Sequence, residues 1–438
     1  MARSRWPRPH DRRCGAQLPR RSARGGAAVT AARVVTFGCR LNRHESEVID
    51  RHAAASGLRD TVIVNTCAVT ASAVREARRT VRRVRRETPG ARIVVTGCAA
   101  QTDPDSFAAM AEVDAVVGNE EKLQAATWTA DPPAGSRVTA TADIRAVAGS
   151  VGTLTGRTRS FVPVQNGCDH RCTFCIIPYG RGPSRSVPPE AVLAEVREAV
   201  RRGVPEVVLT GVDLTDYGAG LASPVTFGRL VRRILRDVPE LPRLRLSSID
   251  AAELDDALIG CFAEEARLMP HLHLSLQSHD PMILKRMRRR HTPEQAERLL
   301  ERVLAARPET AFGADFIAGF PTETDAMFEN TLAAVERLGL VHLHVFPYSP
   351  RPGTPAARMP QVAPETRQVR GKALRAAGER MFRRRLRDRT GTMAAILVEG
   401  EGGLGWTEDY LPAAVPGAAP GSIVERRVEA GGRRLCAA

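Results

Sequence analysis

Cysteine is the residue type whose spacing in this chain asks for chemistry. Cys168-Asp-His-Arg-Cys172-Thr-Phe-Cys175 puts three thiols within eight residues. Thiolates are soft ligands, and three of them can hold three irons of a [4Fe–4S] cube, leaving the fourth iron open to an outside ligand. Zinc is the competing occupant. Structural zinc takes four protein ligands, commonly in C-x2-C pairs; His170 lies inside the loop, but no second pair follows it. A second group, Cys39, Cys67 and Cys98, is spread along the chain. Small or polar residues adjoin each one, in Phe37-Gly38-Cys39, Asn65-Thr66-Cys67 and Gly97-Cys98. Backbone N–H groups in such turns can hydrogen-bond sulfur. Taken singly, each is equally a buried structural thiol. Cys14, Cys261 and Cys436 fall in no pattern.

The second group acquires meaning from the elements around it. Runs rich in β-branched residues, Val34–Phe37, Thr61–Val64 and Arg92–Thr96, read as strands, with a fourth at Ala115–Val117. Helical stretches at Arg43–Ser56 and Thr70–Thr88 separate the first three. Strands alternating with helices imply a parallel α/β sheet. Ligands bind at the carboxyl ends of such strands, so three cysteines each just beyond a strand converge on one edge. Trp128 to Gly156 reads as a connector with one strand. A second series follows, with strands at Phe161–Val164, Glu206–Thr210, Arg243–Ser247, His271–Leu276, Ala314–Ile317 and His342–Phe346. Helices at Pro189–Arg202, Phe227–Asp237, Ala251–Ala266, Pro293–Ala306 and Asp325–Leu338 lie between them. Six βα units fall short of the eight of a full barrel, which predicts a partial (βα)6 barrel. A helix from Pro364 to Arg387 leads into short strands, Met393–Val398, Gly405–Trp406 and Ile423–Val428, of a small β-barrel.

Composition narrows the class. The chain has 438 residues, 64 Lys+Arg against 49 Asp+Glu and a net charge of +15. Only Lys122, Lys285 and Lys372 are lysine. The charge sits in two blocks, 1–30 and 361–390, a pattern that suggests a polyanion partner. No apolar run approaches the ~18 residues of a membrane span, and no apolar signal core opens the chain. Nine cysteines, an odd number thinly spread, argue for a reducing cytosol rather than a disulfide framework.

The Cys168-x3-Cys172-x2-Cys175 loop resembles the radical S-adenosylmethionine (SAM) superfamily. With the three-cysteine N-terminal domain and the terminal barrel, the chain resembles the methylthiotransferases. Thr36-Phe-Gly-Cys-Arg-Leu-Asn-Arg-His-Glu-Ser-Glu47, Val64-Asn-Thr-Cys-Ala-Val-Thr70, Leu209-Thr-Gly-Val-Asp-Leu-Thr-Asp-Tyr-Gly218 and His344-Val-Phe-Pro-Tyr-Ser349 are similar to the branch acting on N6-threonylcarbamoyladenosine in tRNA. The resemblance implies an α/β architecture. It comprises a parallel N-terminal domain (33–145), a partial (βα)6 radical SAM barrel (154–385) and a TRAM-like RNA-binding barrel (386–438); the basic first 32 residues depart from the family and are expected to be disordered. It implies two [4Fe–4S] clusters, one on Cys168, Cys172 and Cys175 that binds SAM, the other on Cys39, Cys67 and Cys98 that carries sulfur. Two SAM molecules are used per turnover, and the C2–H of the adenosine at position 37, in the anticodon loop, becomes C–S–CH3.

Further contacts are expected by position. Phe174 would lie against the SAM adenine, the Gly211 turn would meet its amino group, and Gly319-Phe-Pro321 would approach its nucleoside. Ser275 and Gln277, two apart on one strand, would point into an otherwise apolar barrel. The Arg383–Arg389 cluster and the Arg75–Arg86 helix are candidate phosphate contacts. A cytoplasmic monomer is expected, using tRNA, an external one-electron donor and a sulfur donor, with no membrane partner. Competing readings are the isopentenyladenosine enzyme, methylthiolation of a ribosomal-protein aspartate, and a non-catalytic metal-containing RNA-binding protein.

Overall fold

Five strands line up in chain order at the start of the fold: β1 (Arg33–Thr36), β2 (Thr61–Thr66), β3 (Arg92–Gly97), β4 (Ala115–Val117) and β5 (Gly135–Arg137). All pair in parallel. The structure, a computed structural model, describes residues 31–129, 134–147, 158–252 and 254–437. Contacts divide these into two units. The first holds the described residues up to 147 with Gly167–Asp169 and Cys175–Pro183; the second holds 158–166, His170–Phe174 and the chain from Ser184.

In the first unit, alternation along the strands feeds two apolar layers, as expected of a sheet covered on both faces. Val62, Val64, Ile93 and Val95 pack with Ala77, Val81 and Val84 of α2 (Ala71–Glu87); Ile63 and Val94 pack with Ile49 and Ala53 of α1 (Arg40–Ala55). Thr70 caps α2, its hydroxyl accepting from Ala73 N at 3.1 Å, the usual way of satisfying a helix's first donors. Short helices α3 (Cys98–Thr102), α4 (Pro104–Ala108) and α5 (Ile177–Arg181) complete the unit. Ala31 bridges to Arg59 and Ala32 N donates to Leu58 O, so the ordered fold begins before residue 33. The expected disordered extension otherwise lies outside the described residues.

The second unit carries six parallel positions in chain order. β6 (Arg159–Pro163), β9 (Glu206–Thr210) and β10 (Arg243–Leu246) form one sheet. β11 (Ser248–Ile249), β12 (His271–Gln277), β13 (Ala311–Ala318) and β14 (Leu340–Pro347) form the next. A two-stranded hairpin of β7 (Gln165–Asn166) and β8 (Arg185–Ser186) brackets the cysteine loop. Helices α6 (Pro189–Arg201), α7 (Phe227–Asp237), α8 (Asp256–Glu264), α9 (Pro281–Met287), α10 (Pro293–Ala306) and α11 (Asp325–Arg337) intervene. α8 starts five residues later than expected because Asp250 and Asp255 take the backbone N–H groups of Ala252 and Leu258.

α12 (Pro364–Asp388) then leads to a closed barrel, β15 (Met393–Gly400), β16 (Leu404–Thr407), β17 (Pro412–Ala414), β18 (Ile423–Gly431) and β19 (Arg434–Ala437). Because α12 runs to Asp388, the expected boundary at 385/386 falls inside a helix. Among the described residues, no helix is long and apolar enough to cross a membrane.

Candidate functional site

β1, β2 and β3 end in register, Thr36 opposite Asn65 and Thr66 opposite Gly97, and a cysteine follows each. Cys39 precedes α1, Cys67 lies in the turn after β2, and Cys98 opens α3. Gly38 has φ +96°, and a Cβ there would stand 2.9 Å from Cys67 Sγ. Gly97 has φ +92°, and a Cβ there would stand 2.5 Å from Thr66 N. Only glycine combines that backbone with that proximity. Asn42 stitches the strand ends: its Nδ2 donates to Phe37 O at 2.7 Å and Thr66 O at 2.9 Å. Cys98 Sγ lies 4.0 Å from Asn42 Oδ1.

Against this edge the structure sets a residue that sequence reasoning missed. In α5, the Gly180 carbonyl accepts from Asn119 Nδ2 and the Tyr179 carbonyl from Thr141 Oγ1. The next residue, Arg181, is buried. Its guanidinium meets Glu45 at 2.7 and 3.1 Å and donates to Asn42 Oδ1. Lys122 Nζ holds Glu45 from the other side at 2.7 Å. Burial pushes the Glu45 carboxyl up, but Arg181 and Lys122 outweigh it and hold it at about 2. Burial opposes the Arg181 charge, but Cys98, Glu45 and Cys39 overcome it and keep the guanidinium protonated. Three thiols at one sheet edge, with a permanent cation beside Cys98, suit a cluster held by thiolates; they do not suit a hard, oxygen-seeking cation.

In the other loop, Cys168 and Cys175 belong to the first unit and Cys172 to the second. Cys168 N donates to Gly182 O at 3.1 Å. Thr173 anchors the loop on α9 and the residue after it, through its N–H to Met287 O and its hydroxyl to Arg286 O. Arg289 Nη1 donates to Cys172 Sγ at 3.5 Å, while its Nη2 holds Asp250 at 2.8 Å and Ser275 O at 2.7 Å. Arg290 sits 3.3 Å from Asp213, and His170 Nε2 lies 2.9 Å from the same carboxylate. Burial pushes Asp213 up; hydrogen bonds from His170 and Thr215 outweigh it and lower it. Asp250 is likewise lowered against its burial, by His291 and Arg289. His170, the loop's only candidate nitrogen ligand, is thus turned toward Asp213. Cys172 is a soft thiol donor, the ligand type that iron–sulfur clusters take.

The remaining expected residues scatter around this centre. Phe174 meets Phe320 edge-on, ring centroids 6.4 Å apart, in an apolar group with Ile283, Met287 and Tyr348. Gly211 is crowded by Leu214 and Gln165, and the following N–H groups of Val212 and Asp213 donate to Gln165 Oε1. Gly319 is crowded by Arg367 of α12, and its N–H donates to Glu323 Oε2 at 2.9 Å; its need for glycine comes from helix packing. Pro321 follows in the same turn. Ser275 and Gln277 are partly exposed at the end of β12, where a register shift and φ +68° at Gln277 interrupt the plain alternation.

The barrel interior is not apolar, contrary to expectation. Leu244, Leu246, Leu272, Leu274 and Leu276 face the helices, so their alternates point inward, and those are polar. One inward layer is His273, Asp315 and His344, with Asp315 Oδ1 3.0 Å from His273 Nε2 and 2.9 Å from His344 Nδ1. Burial pushes Asp315 up and the two histidines outweigh it. A lower layer at the strand starts is Glu206 with Arg159 and Arg245, at 2.6 and 2.9 Å. Tyr410 of the terminal barrel closes that end, 4.8 Å beneath Arg245 and stacked on Trp406.

The basic block at 361–390 is largely spent on structure. Arg370 pairs with Glu323 and Asp325, Arg385 with Asp409, and Arg389 with Glu408. Arg384 and Arg387 stay exposed. On α2, Arg75, Arg79, Arg82 and Arg86 form an exposed stripe at helical spacing. Cys261 is buried in α8, burial pushing its thiol up, and Cys436 lies in β19.

Comparison with known proteins agrees with this geometry. The family model "Radical SAM superfamily" matches residues 162–335 and "Uncharacterized protein family UPF0004" matches 31–118. A Rickettsia prowazekii protein named threonylcarbamoyladenosine tRNA methylthiotransferase MtaB is 47% identical over 86% of this chain and 90% of its own length. A Thermotoga maritima protein of the same name is 37% identical over 77% of this chain and 79% of its own. A solved structure of the radical SAM methyltransferase TsrM from Kitasatospora setae, with cobalamin and a [4Fe-4S] cluster, shares the fold. Its TM-score is 0.50 at 20% identity, covering 70% of this chain and 68% of that one.

Proposed function

The chain belongs to the radical SAM methylthiotransferases, and from that premise we propose that it is the tRNA enzyme converting N6-threonylcarbamoyladenosine at position 37 to its 2-methylthio derivative. The observation that carries the substrate is the 47% identity to a threonylcarbamoyladenosine enzyme over nearly that protein's whole length. The cofactors are two [4Fe–4S] clusters and SAM, used twice per turnover. Bound together, cluster and SAM supply the one-electron chemistry that replaces a C–H bond no side-chain base could deprotonate.

The chain's own residues supply place and insulation. Cys168, Cys172 and Cys175 hold the radical cluster, and Cys39, Cys67 and Cys98 hold the second. Arg289 orients Cys172 while Asp250 and the Ser275 carbonyl fix its fork. Phe174 and Phe320 give the loop an apolar wall, against which Phe174 would hold the SAM adenine. Gly211, Gly319 and Pro321 form the turns around SAM, and Ser275 and Gln277 present polar groups at the strand ends. Tyr410, stacked on Trp406, covers the strand-start end of the barrel beneath Arg245. The α2 arginine stripe contacts tRNA phosphates, the terminal barrel binds the RNA, and the target base is splayed from the anticodon loop. The first domain takes in the ordered chain from Ala31, and the radical SAM domain gives way to the terminal barrel after α12, at Asp388. The enzyme works as a cytoplasmic monomer fed by an external one-electron donor and a sulfur donor.

The test is anaerobic incubation of the reconstituted full chain with SAM, reductant and tRNA carrying threonylcarbamoyladenosine, followed by nucleoside mass spectrometry. The expected product is 2-methylthio-N6-threonylcarbamoyladenosine. Product formed only on isopentenyladenosine tRNA would overturn the substrate.

A further inference from the structure

Arg181 and Lys122 both pair with the carboxylate of Glu45, and all three are almost wholly buried. By themselves these three side chains sum to one positive charge, in a place where an uncompensated charge is costly. Cys98 lies beside them: its Sγ stands 4.0 Å from Asn42 Oδ1, the oxygen that accepts from Arg181 Nη2. A [4Fe–4S] core in its dication state with three thiolates is a monoanion, opposite in sign to that group.

We infer that Arg181, clamped by Glu45, is the fixed counter-charge of the cluster on Cys39, Cys67 and Cys98, and sets how readily that cluster takes on further negative charge. The inference rests on the reading of those cysteines as a cluster site. Reduction adds one negative charge, and so does any anionic ligand taken by the open iron; both are favoured by a cation that cannot move or lose its proton. Arginine suits this better than lysine, because its planar fork grips Glu45 with both terminal nitrogens while one of them also reaches Asn42 beside Cys98. Arg181 is a positioning residue. It comes from the same segment as Cys175, six residues earlier, so the chain that supplies a ligand to the radical cluster also closes the second site.

The test uses the full chain with Cys168, Cys172 and Cys175 replaced by alanine, leaving the second group alone to bind iron. About four iron per chain are expected after anaerobic reconstitution. A value near zero would refute the cluster site itself, and this inference with it. Given four, the midpoint potential is read by redox titration with electron paramagnetic resonance. Arg181→Met should move it to a more negative potential, Arg181→Lys should restore most of the shift, and Glu45→Gln should move it the opposite way. A structural role would not produce shifts of opposite sign. Should Arg181→Met fail to retain iron, the sign of the Glu45→Gln shift decides. Unchanged potentials, or shifts in one direction for Arg181→Met and Glu45→Gln, would overturn the inference.

Discussion

Arg181 and Arg289 are the same device facing different work. Each is an arginine that grips a carboxylate beside a cysteine: Arg289 also donates to Cys172 Sγ, and Arg181 donates to Asn42 Oδ1, 4.0 Å from Cys98 Sγ. Around Arg289, two guanidiniums, Arg289 and Arg290, meet two carboxylates, Asp250 and Asp213. Around Arg181, two cations, Arg181 and Lys122, meet the one carboxylate of Glu45. On the proposed assignment the difference matches what each site would accept: SAM, a sulfonium zwitterion with one net positive charge, would suit a neutral surround, and the anions of sulfur delivery would suit a positive one.

The largest effects separate the two cysteine groups. Cys172→Ala should abolish SAM cleavage and product together, whereas Cys67→Ala should keep cleavage, assayed as 5′-deoxyadenosine, and lose product. Equal loss of both activities in the two variants would break the division of labour. Next in size, Arg289→Met should lower SAM cleavage by roughly 10–100-fold, the usual cost of removing a partner of a metal ligand. The midpoint of the second cluster should not move. A shift there would mean that the two sites are not independent.

A further buried carboxylate, Glu206, sharpens the contrast because its partners are arginines and not cysteines. Burial pushes Glu206 up, but Arg159 and Arg245 hold it at about 2. Breaking such a group leaves its arginines uncompensated, so Glu206→Ala should cost about 3–5 kcal/mol in denaturant unfolding with iron content unchanged. The pH dependence follows from the same shift. A carboxyl lowered from 4.5 to about 2 contributes stability above pH 4.5 and loses it as pH falls toward 2. Glu206→Gln should flatten that part of the stability profile of the cluster-free chain. The smallest effect is expected at the plug: Tyr410→Leu removes a ring shared by Arg159 and Arg245 and should cost about 0.5–2 kcal/mol.

Local features were legible in the sequence and long-range pairings were not. Cys168, Cys172 and Cys175 announce themselves by proximity, and Cys39, Cys67 and Cys98 by following strands whose β-branched runs are plain. Arg181 and Glu45 lie 136 residues apart, and Arg181 is one arginine in an arginine-rich chain. A signal did exist in Lys122, one of three lysines, which turns out to be fully buried on Glu45. The inward layers of the barrel were misread because the leucines on the opposite face dominate each strand's composition. Asp315 needs His273 and His344, which come from neighbouring strands far away in sequence. β17 and β19 escaped notice for a simpler reason. Pro412–Ala414 and Arg434–Ala437 are too short and too poor in β-branched residues to read as strands, and barrel closure alone places them.

The central claim is that one chain carries two three-cysteine cluster sites with different surroundings. Iron and acid-labile sulfide counted on anaerobically reconstituted protein test it most directly. The intact chain should hold about eight of each. Alanine at Cys39, Cys67 and Cys98 should leave about four, and alanine at Cys168, Cys172 and Cys175 should also leave about four. An intact chain with only about four iron, or with about one zinc and no sulfide, would contradict it.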